Sequence, residues 1–304
     1  IIEVTDFTQS EWKKLIQNTV AFKQNKHRGR NVLKDKSVCL LFSNNSLRTR
    51  LSFEMAAKLL GGNSYFLETQ NLTNEKNGLL REAYADIIST LDRMIDYYVV
   101  RDYSGKMLEA LQEREGPPVI NGFCSVGHPS QALADVSVIN WKRGTNKNLN
   151  YAGVCSEKGG GIIESFIYAV LLLGESITII TPTGKFKGKN KDFHIQVKKL
   201  SMQYGGELRI TKEIHDIMKK ADILYVDEWW ENSKNFIKNK IGKYKVDTTF
   251  LQGRKKNWMI LHYLPAHQGR EITTEVMRGP NSIIFDEAEF RVYSAMSLLC
   301  YLQN

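Results

Sequence analysis

Five consecutive residues, Ser46-Leu47-Arg48-Thr49-Arg50, put two guanidiniums and two hydroxyls at the start of a helix-period run. They follow the apolar run SVCLLF at 37–42 and open LSFEMAAKLL, with Ser46 placed as the N-cap. The first turn of a helix offers free backbone N–H groups and a partial positive charge, which suits a phosphate dianion. Arginine adds bidentate hydrogen bonds to such oxygens. Taken alone, the segment also reads as a surface helix start with exposed arginines. A second group is His128-Pro129-Ser130-Gln131. Pro129 fits the first position of a helix over 129–142, which puts His128 beside that helix's positive end. The position disfavours imidazolium, and a neutral ring donates a hydrogen bond to a carbonyl oxygen. Gln131, one turn in, reaches the same ligand. The plain alternative is a capping histidine with an exposed glutamine.

The elements that must hold these residues alternate between β-rich and helix-period runs. Strands are expected at 37–42, 63–67, 96–100 and 118–120, then at 151–155, 176–181, 207–210, 222–226, 258–262 and 282–285. Helices are expected at 47–60, 80–93, 105–112, 129–142 and about 287–302. Leu80, Ala83, Ile87, Leu91, Met94 and Ile95 carry the helical spacing of the second. Thr8-x-x-Glu11 is a capping box for the first helix of all. This grammar predicts an α/β protein of two doubly wound domains, each a parallel sheet flanked by helices. The expected division is 1–142 with the C-terminal helix about 287–304, and 143–286, the final helix folding back across the seam. Ligands of open parallel sheets bind beyond the carboxyl ends of the strands. The polar outliers gather there: the 43–50 segment, Arg101, His128, the glycine loop ending in Gly161, Asp227, and His262-Tyr263-Leu264-Pro265.

Composition narrows the partner. The chain has 304 residues, 42% hydrophobic and 25% charged, a balance that fits a folded globular protein with a sizeable core. Its longest apolar run, Phe166 to Leu173, is far shorter than the about 20 residues a bilayer demands. The opening IIEVTDFTQSEWKK lacks the layout of a secretory signal, so a cytoplasmic protein with no membrane contact is expected. Cys39, Cys124, Cys155 and Cys300 form no CxxC pair and read as reduced thiols, with no metal site expected. The net charge of +9 is spread along the chain, with no basic arm interleaved with aromatics. A small anion is therefore favoured over nucleic acid. The cluster KFKGKNK at 185–191 reads as a solvated loop.

Taken in order, the Ser-x-Arg-Thr-Arg segment with its following SFE, HPSQALAD, HYLPAHQGREIT and FDEAEFR resemble the aspartate/ornithine carbamoyltransferases, closest to the ornithine branch. The resemblance covers nearly the whole chain. It implies a carbamoyl phosphate site made of Ser46, Leu47, Arg48, Thr49, Arg50, Arg101, His128, Gln131, Tyr263, Leu264 and Arg291. Within it, His128 with Arg50 or Arg101 would polarise the carbamoyl oxygen, and the Leu264 carbonyl would hold the carbamoyl nitrogen. It implies transfer to an amine without metal or organic cofactor. It also implies a homotrimer, or a multiple of trimers, with active sites shared between subunits.

The departures from the ornithine enzymes fall on the amine-acceptor side. Their Asp-x-x-x-Ser-Met-Gly becomes Asp227-Glu228-Trp229-Trp230-Glu231-Asn232-Ser233. Their loop asparagine gives way to Glu157-Lys158-Gly159-Gly160-Gly161, their His-Cys-Leu-Pro to His262-Tyr263-Leu264-Pro265, and the arginine after it to Gln268. Leu47 replaces the usual threonine, as in the branch acting on N-acylated ornithine. The acceptor residues are then Gly161, Asp227, Trp229, Trp230 and Tyr263, with Asp227 pairing an ammonium and the tryptophans covering an apolar stem or packing in the core. Tyr263 hydrogen-bonds the amine or fills space. The expected acceptor is an ornithine-like amino acid or diamine, and not plain ornithine. Lys76, in the long 68–80 loop, is a candidate for reaching the phosphate or a solvated lysine. The alternative is a non-catalytic relative that binds carbamoyl phosphate without turnover. A dinucleotide-dependent oxidoreductase is set aside, because CSEKGGG is not GxGxxG and the next strand ends in Thr-Pro.

Overall fold

The structure is a computed structural model that describes residues 1–73, 75–76, 79–80, 82–228, 241–254 and 256–303. The chain divides into two compact units, Ile1–Asp6 with Lys14–Ser137 and Glu289–Asn304, and Phe7–Lys13 with Val138–Ala288. Helix α1 (Gln9–Gln24) opens on the capping box. The Thr8 amide donates to Glu11 Oε2 at 2.8 Å, and the Glu11 amide donates to Thr8 Oγ1 at 3.3 Å.

The first unit continues with β1 (Ser37–Phe42), α2 (Leu47–Leu59), β2 (Asn63–Glu68) and α3 (Thr69–Thr73). The hairpin β3 (Glu75–Lys76) and β4 (Leu79–Leu80) follows, then α4 (Tyr84–Leu91), β5 (Tyr97–Asp102), α5 (Lys106–Gln112), β6 (Val119–Cys124) and α6 (Pro129–Arg143). Its main sheet is parallel, in the order β2-β1-β5-β6. A parallel strand covered on both faces reads as an unbroken apolar run, and β1 and β5 do so. Cys39, Leu41, Tyr98, Val100, Met107 and Leu111 share one buried cluster.

The second unit holds β7 (Tyr151–Val154), α7 (Gly161–Leu172), β8 (Ile177–Ile180), α8 (Phe193–Tyr204), β9 (Leu208–Thr211) and α9 (His215–Lys220). It continues with β10 (Ile223–Val226), β11 (Met259–Leu261), α10 (Thr274–Met277) and the first residues of α11 (Ile284–Leu302), which from Glu289 on belongs to the first unit. The strands form a parallel sheet ordered β11-β10-β7-β8-β9. Strand β7 is packed so closely that a Cβ on Gly153 would lie 2.7 Å from Ile179 Cδ1 of β8 and 3.4 Å from Ile163 Cδ1 of α7. The chain is thus α/β, with two parallel sheets flanked by helices.

Two expected elements differ. The strand at 282–285 shrinks to one bridge, Ile260 to Ser282, because α11 already starts at Ile284. Asp286 and Glu287 lie in that helix's first turn, where its dipole favours acids. The helix expected over 80–93 is Tyr84–Leu91, and Met94, which carried the apolar spacing, is 69% exposed. Cys39, Cys124 and Cys155 are buried and Cys300 is half-buried, and none of the four is in a disulfide. Among the described residues no helix is long and apolar enough to cross a membrane.

Candidate active site

In the first unit, β1 ends at Phe42 and α2 begins at Leu47 with Ser46 as its N-cap. Ser46 has extended backbone geometry, and its hydroxyl accepts the Thr49 amide at 3.3 Å. Thr49 is fully buried, while the Leu47 side chain is 74% exposed. Leu47 therefore offers a ligand its backbone and not its side chain. Arg50 is partly exposed, pairs with Glu54 at 2.8 Å and lies 3.7 Å over the Phe66 ring. Its guanidinium is held against the α2–β2 surface.

The contacts that gather the remaining groups come from far apart in sequence. Buried Arg291 donates to Thr49 Oγ1 at 2.6 Å and lies 3.2 Å from His128 Nε2. A guanidinium only donates, so Nε2 accepts. The ring proton then sits on Nδ1, facing Ser130 Oγ at 3.2 Å. Burial, then Arg291 and Arg101, hold His128 well below its ordinary range, so the ring is neutral as expected. The expected donation to a carbonyl oxygen needs the proton on Nε2, and hence needs Arg291 to turn aside. Gln131 is buried and not exposed, and donates to Asp135 Oδ1 at 2.7 Å.

Arg101 is aimed by an irregularity. The β5–β6 register shifts between Val100 and Arg101, so that Val100 pairs with Asn121 and Arg101 with Phe123. Such a bulge re-aims a side chain at a strand's end. Phe123 has φ +133°, rare for a non-glycine residue. Its ring lies 4.7 Å from the Arg101 guanidinium and 5.3 Å from the His128 ring. Burial pulls Arg101 down, Tyr103 opposes this, and the nearby Arg48 adds like-charge repulsion. The buried Arg101 Nε has no hydrogen-bond partner among the described residues. A desolvated cation next to another is costly unless an anion joins them. The structure therefore brings together Arg48, Thr49, Arg101, His128 and Arg291, through direct contacts or charge, with Ser46 and Gln131 each one turn away along a helix.

In the second unit, Asp227 follows β10 and is 5% exposed. Its Oδ1 accepts the Glu228 amide at 3.0 Å, and the same amide lies 3.2 Å from the Tyr263 hydroxyl. Burial lifts Asp227 to about 7, with Glu228 and Glu164 adding to the rise while hydrogen bonding from Tyr263 and the Glu228 amide opposes it. Burial, followed by Asp227 and Glu228, raises Tyr263 well above the phenol range. Gly161 is buried at the first position of α7, capped by Gly160. Glu164, one turn on, accepts the Asn190 amide at 3.1 Å and so ties down the 185–191 loop.

Leu264 has φ +58°, a left-handed geometry that costs about 1–3 kcal/mol in a non-glycine residue. A buried network holds this turn. The Leu264 amide donates to His262 Nδ1 at 2.9 Å, His262 Nε2 faces Glu271 Oε1 at 3.3 Å, and the His262 amide donates to Glu287 Oε2 at 2.9 Å. Trp229 and Trp230, with Glu231, Asn232 and Ser233, lie outside the described residues, as does the Lys76 side chain.

Sequence reasoning missed the residues that hold these turns. Asn121, fully buried inside β6, donates to the Ile2 carbonyl at 2.8 Å and the Gly127 carbonyl at 3.0 Å, and accepts the Phe123 amide at 2.9 Å. An amide in the middle of an apolar strand was the signal. Glu271 carried a weaker one, as an acid four residues after His267 in a segment otherwise built of turn residues.

Two family models match the chain in succession. Residues 1–140 match the family described as aspartate/ornithine carbamoyltransferase, carbamoyl-P binding domain. Residues 147–302 match its Asp/Orn binding domain. An ornithine carbamoyltransferase of Methanococcus maripaludis is 33% identical, over 99% of this chain and 98% of its own. The solved ornithine carbamoyltransferase of Pyrococcus furiosus superposes with a TM-score of 0.85 at 30% identity, covering 97% of this chain and 93% of that one. An acetylornithine transcarbamylase solved with acetylcitrulline gives a TM-score of 0.86 at 26% identity, covering 99% and 98%.

Proposed function

The chain belongs to the aspartate/ornithine carbamoyltransferase family, and from that premise we propose that it moves the carbamoyl group of carbamoyl phosphate to the amine of an ornithine-like amino acid or diamine other than plain ornithine. The observation that carries the donor half is the Arg291 guanidinium joined to Thr49 and His128 at 2.6 and 3.2 Å, next to the capped start of α2. Most residues expected for carbamoyl phosphate fall in the first unit, while those expected for the amine, together with Tyr263 and Leu264, fall in the second. Residues 1–142 with 287–304 take carbamoyl phosphate, and 143–286 take the amine.

The neutral amine nitrogen attacks the carbamoyl carbon, and the C=O electron pair moves onto oxygen. Arg101 and His128 stabilise that oxyanion, with Arg50 in reserve on the same turn as Arg48. The pair then returns, the C–O bond to phosphate breaks, and the leaving dianion stays on Ser46, Arg48, Thr49, Arg291 and the backbone of Leu47. Its oxygen takes the proton lost by the amine. Gln131 holds the carbamoyl nitrogen. Gly161, Asp227 and Tyr263 line the amine side. Fixing both reactants supplies much of the remaining rate.

The support for an acceptor other than ornithine is chemical. Tyr263 occupies the place of the ornithine enzymes' cysteine and shares the Glu228 amide with Asp227. A phosphate-release screen with carbamoyl phosphate and ornithine, N-acylated ornithines, putrescine and diaminopropionate tests the reading. Turnover with one of the others and poor turnover with ornithine is expected. Efficient use of ornithine overturns the acceptor assignment, and binding without release from any amine overturns the transfer itself. The working form is proposed as a cytoplasmic homotrimer with active sites at subunit interfaces, which sedimentation equilibrium checks.

A further inference from the structure

We propose that Tyr263 is a positioning residue for the cationic amine acceptor, its phenol locking the Asp227 carboxylate in place by donating to it while accepting the Glu228 amide. The idea rests on the reading that Asp227 receives an ammonium of the acceptor. Three observations carry it. The Glu228 amide lies 3.0 Å from Asp227 Oδ1 and 3.2 Å from the Tyr263 hydroxyl, so one N–H gathers the carboxylate and the phenolic oxygen and leaves the phenol's own proton as the donor available to Asp227. Asp227 is 5% exposed, so water does not replace a lost partner cheaply. The Tyr263 ring is itself braced, 5.1 Å from the ring of fully buried His262, which the Glu271 and Glu287 contacts hold.

The surrounding charges make the phenol necessary. Among the described residues, those acting on Asp227 are Glu228 beside it, Glu164 from α7, Cys155 after β7 and Tyr263 after β11. None is a cation. The nearest imidazole, His267, faces Glu228 at 3.4 Å. Burial and the two acids push Asp227 towards its neutral form, which cannot pair with an ammonium. The hydrogen bonds from Tyr263 and the Glu228 amide oppose this, and of the two only the phenol can be removed by a side-chain substitution. Tyr263 therefore acts through Asp227 and need not touch the acceptor, which resolves the choice its sequence position left open.

The test is Y263F in the full chain, with two readouts. The first needs no turnover: the Asp227 carboxyl is titrated by carbon NMR in aspartate-labelled protein, its signal assigned by its absence in D227N. Loss of a hydrogen bond to a charged group is expected to raise that titration by about one to two units. The second is kinetic. At pH 7 the KM for the amine rises roughly 10- to 100-fold while kcat at saturation stays within about 2-fold, and the deficit shrinks as pH rises. Y263H, which keeps a ring N–H donor, restores part of both effects and stands in if Y263F folds poorly. An Asp227 titration unchanged in both variants overturns the proposal. So does a loss of rate that is equal at every pH. If no amine is carbamoylated by the wild type, the function reading fails, yet the NMR readout still decides the Tyr263–Asp227 link.

Discussion

Arg291 and Thr49, 242 residues apart, meet at 2.6 Å, and the same guanidinium nitrogen lies 3.2 Å from His128. One side chain from α11 thus spans the starts of α2 and α6. A guanidinium does this because it is planar and offers several donors at fixed angles. Lysine offers a point charge. R291K is therefore expected to weaken carbamoyl phosphate binding by roughly 10- to 100-fold, the worth of about one to two charge-assisted hydrogen bonds. Calorimetry with carbamoyl phosphate reads this directly. An affinity unchanged in R291K would remove Arg291 from the anion site.

Much of this arrangement was legible in sequence. The apolar run at 37–42 followed by Ser-x-Arg-Thr-Arg had one physical reading, a buried strand leading into a capped helix, and β1, Ser46 and α2 have that form. Pro129 marked the start of α6 equally well. What escaped was non-local or ambiguous. Nothing in NGFCSVG announced that Phe123 would take φ +133° at a bulge and lie between Arg101 and His128. The run at 282–285 had strand composition but lost to a helix start, because a short apolar run carries too few residues to separate the two periods. The partner of Tyr263 was invisible for a simpler reason. It depends on the register between β10 and β11, where Tyr225 pairs with Leu261.

Phe123 separates strain from function in a measurable way. Its φ belongs to a region that glycine occupies freely, so F123G is expected to relieve about 1–3 kcal/mol of local strain and offset part of the lost packing. The Arg101 guanidinium then loses the ring 4.7 Å away. A cation–π contact of this kind is worth about 0.5–2 kcal/mol, so carbamoyl phosphate affinity falls by roughly 2- to 30-fold. Thermal unfolding and phosphate-analogue binding, measured on one preparation, distinguish the two effects. A large loss of stability with intact binding would mean the ring only fills space.

Asn121 is the internal pin of the loop that delivers His128. Replacing it with alanine leaves the Ile2 and Gly127 carbonyls and the Phe123 amide without their side-chain partner. Each buried group left unsatisfied costs about 1–3 kcal/mol, so N121A is expected to lose at least about 2 kcal/mol in urea unfolding. A change below about 0.5 kcal/mol would show that the loop is held by something else.

Asp227 and His128 give the stability–pH curve opposite slopes. The folded His128 titrates well below its ordinary value, so its contribution is present above about pH 6.5 and is lost as pH falls through the folded pKa. Asp227 is lifted from 3.8 to about 7, so its contribution is present below pH 3.8 and is lost as pH rises through about 7. The wild type therefore holds a charged, buried carboxylate above neutrality at a cost in stability. D227N removes that ionisation while keeping the shape. Its unfolding free energy is expected to exceed the wild type's at pH 8 and to lose the decline between about pH 4 and 7. Amine binding should fall in the same variant, because an amide cannot neutralise an ammonium. Urea unfolding at a series of pH values checks the first effect. A D227N curve parallel to the wild type's would mean that Asp227 keeps an ordinary carboxylate titration in the folded chain.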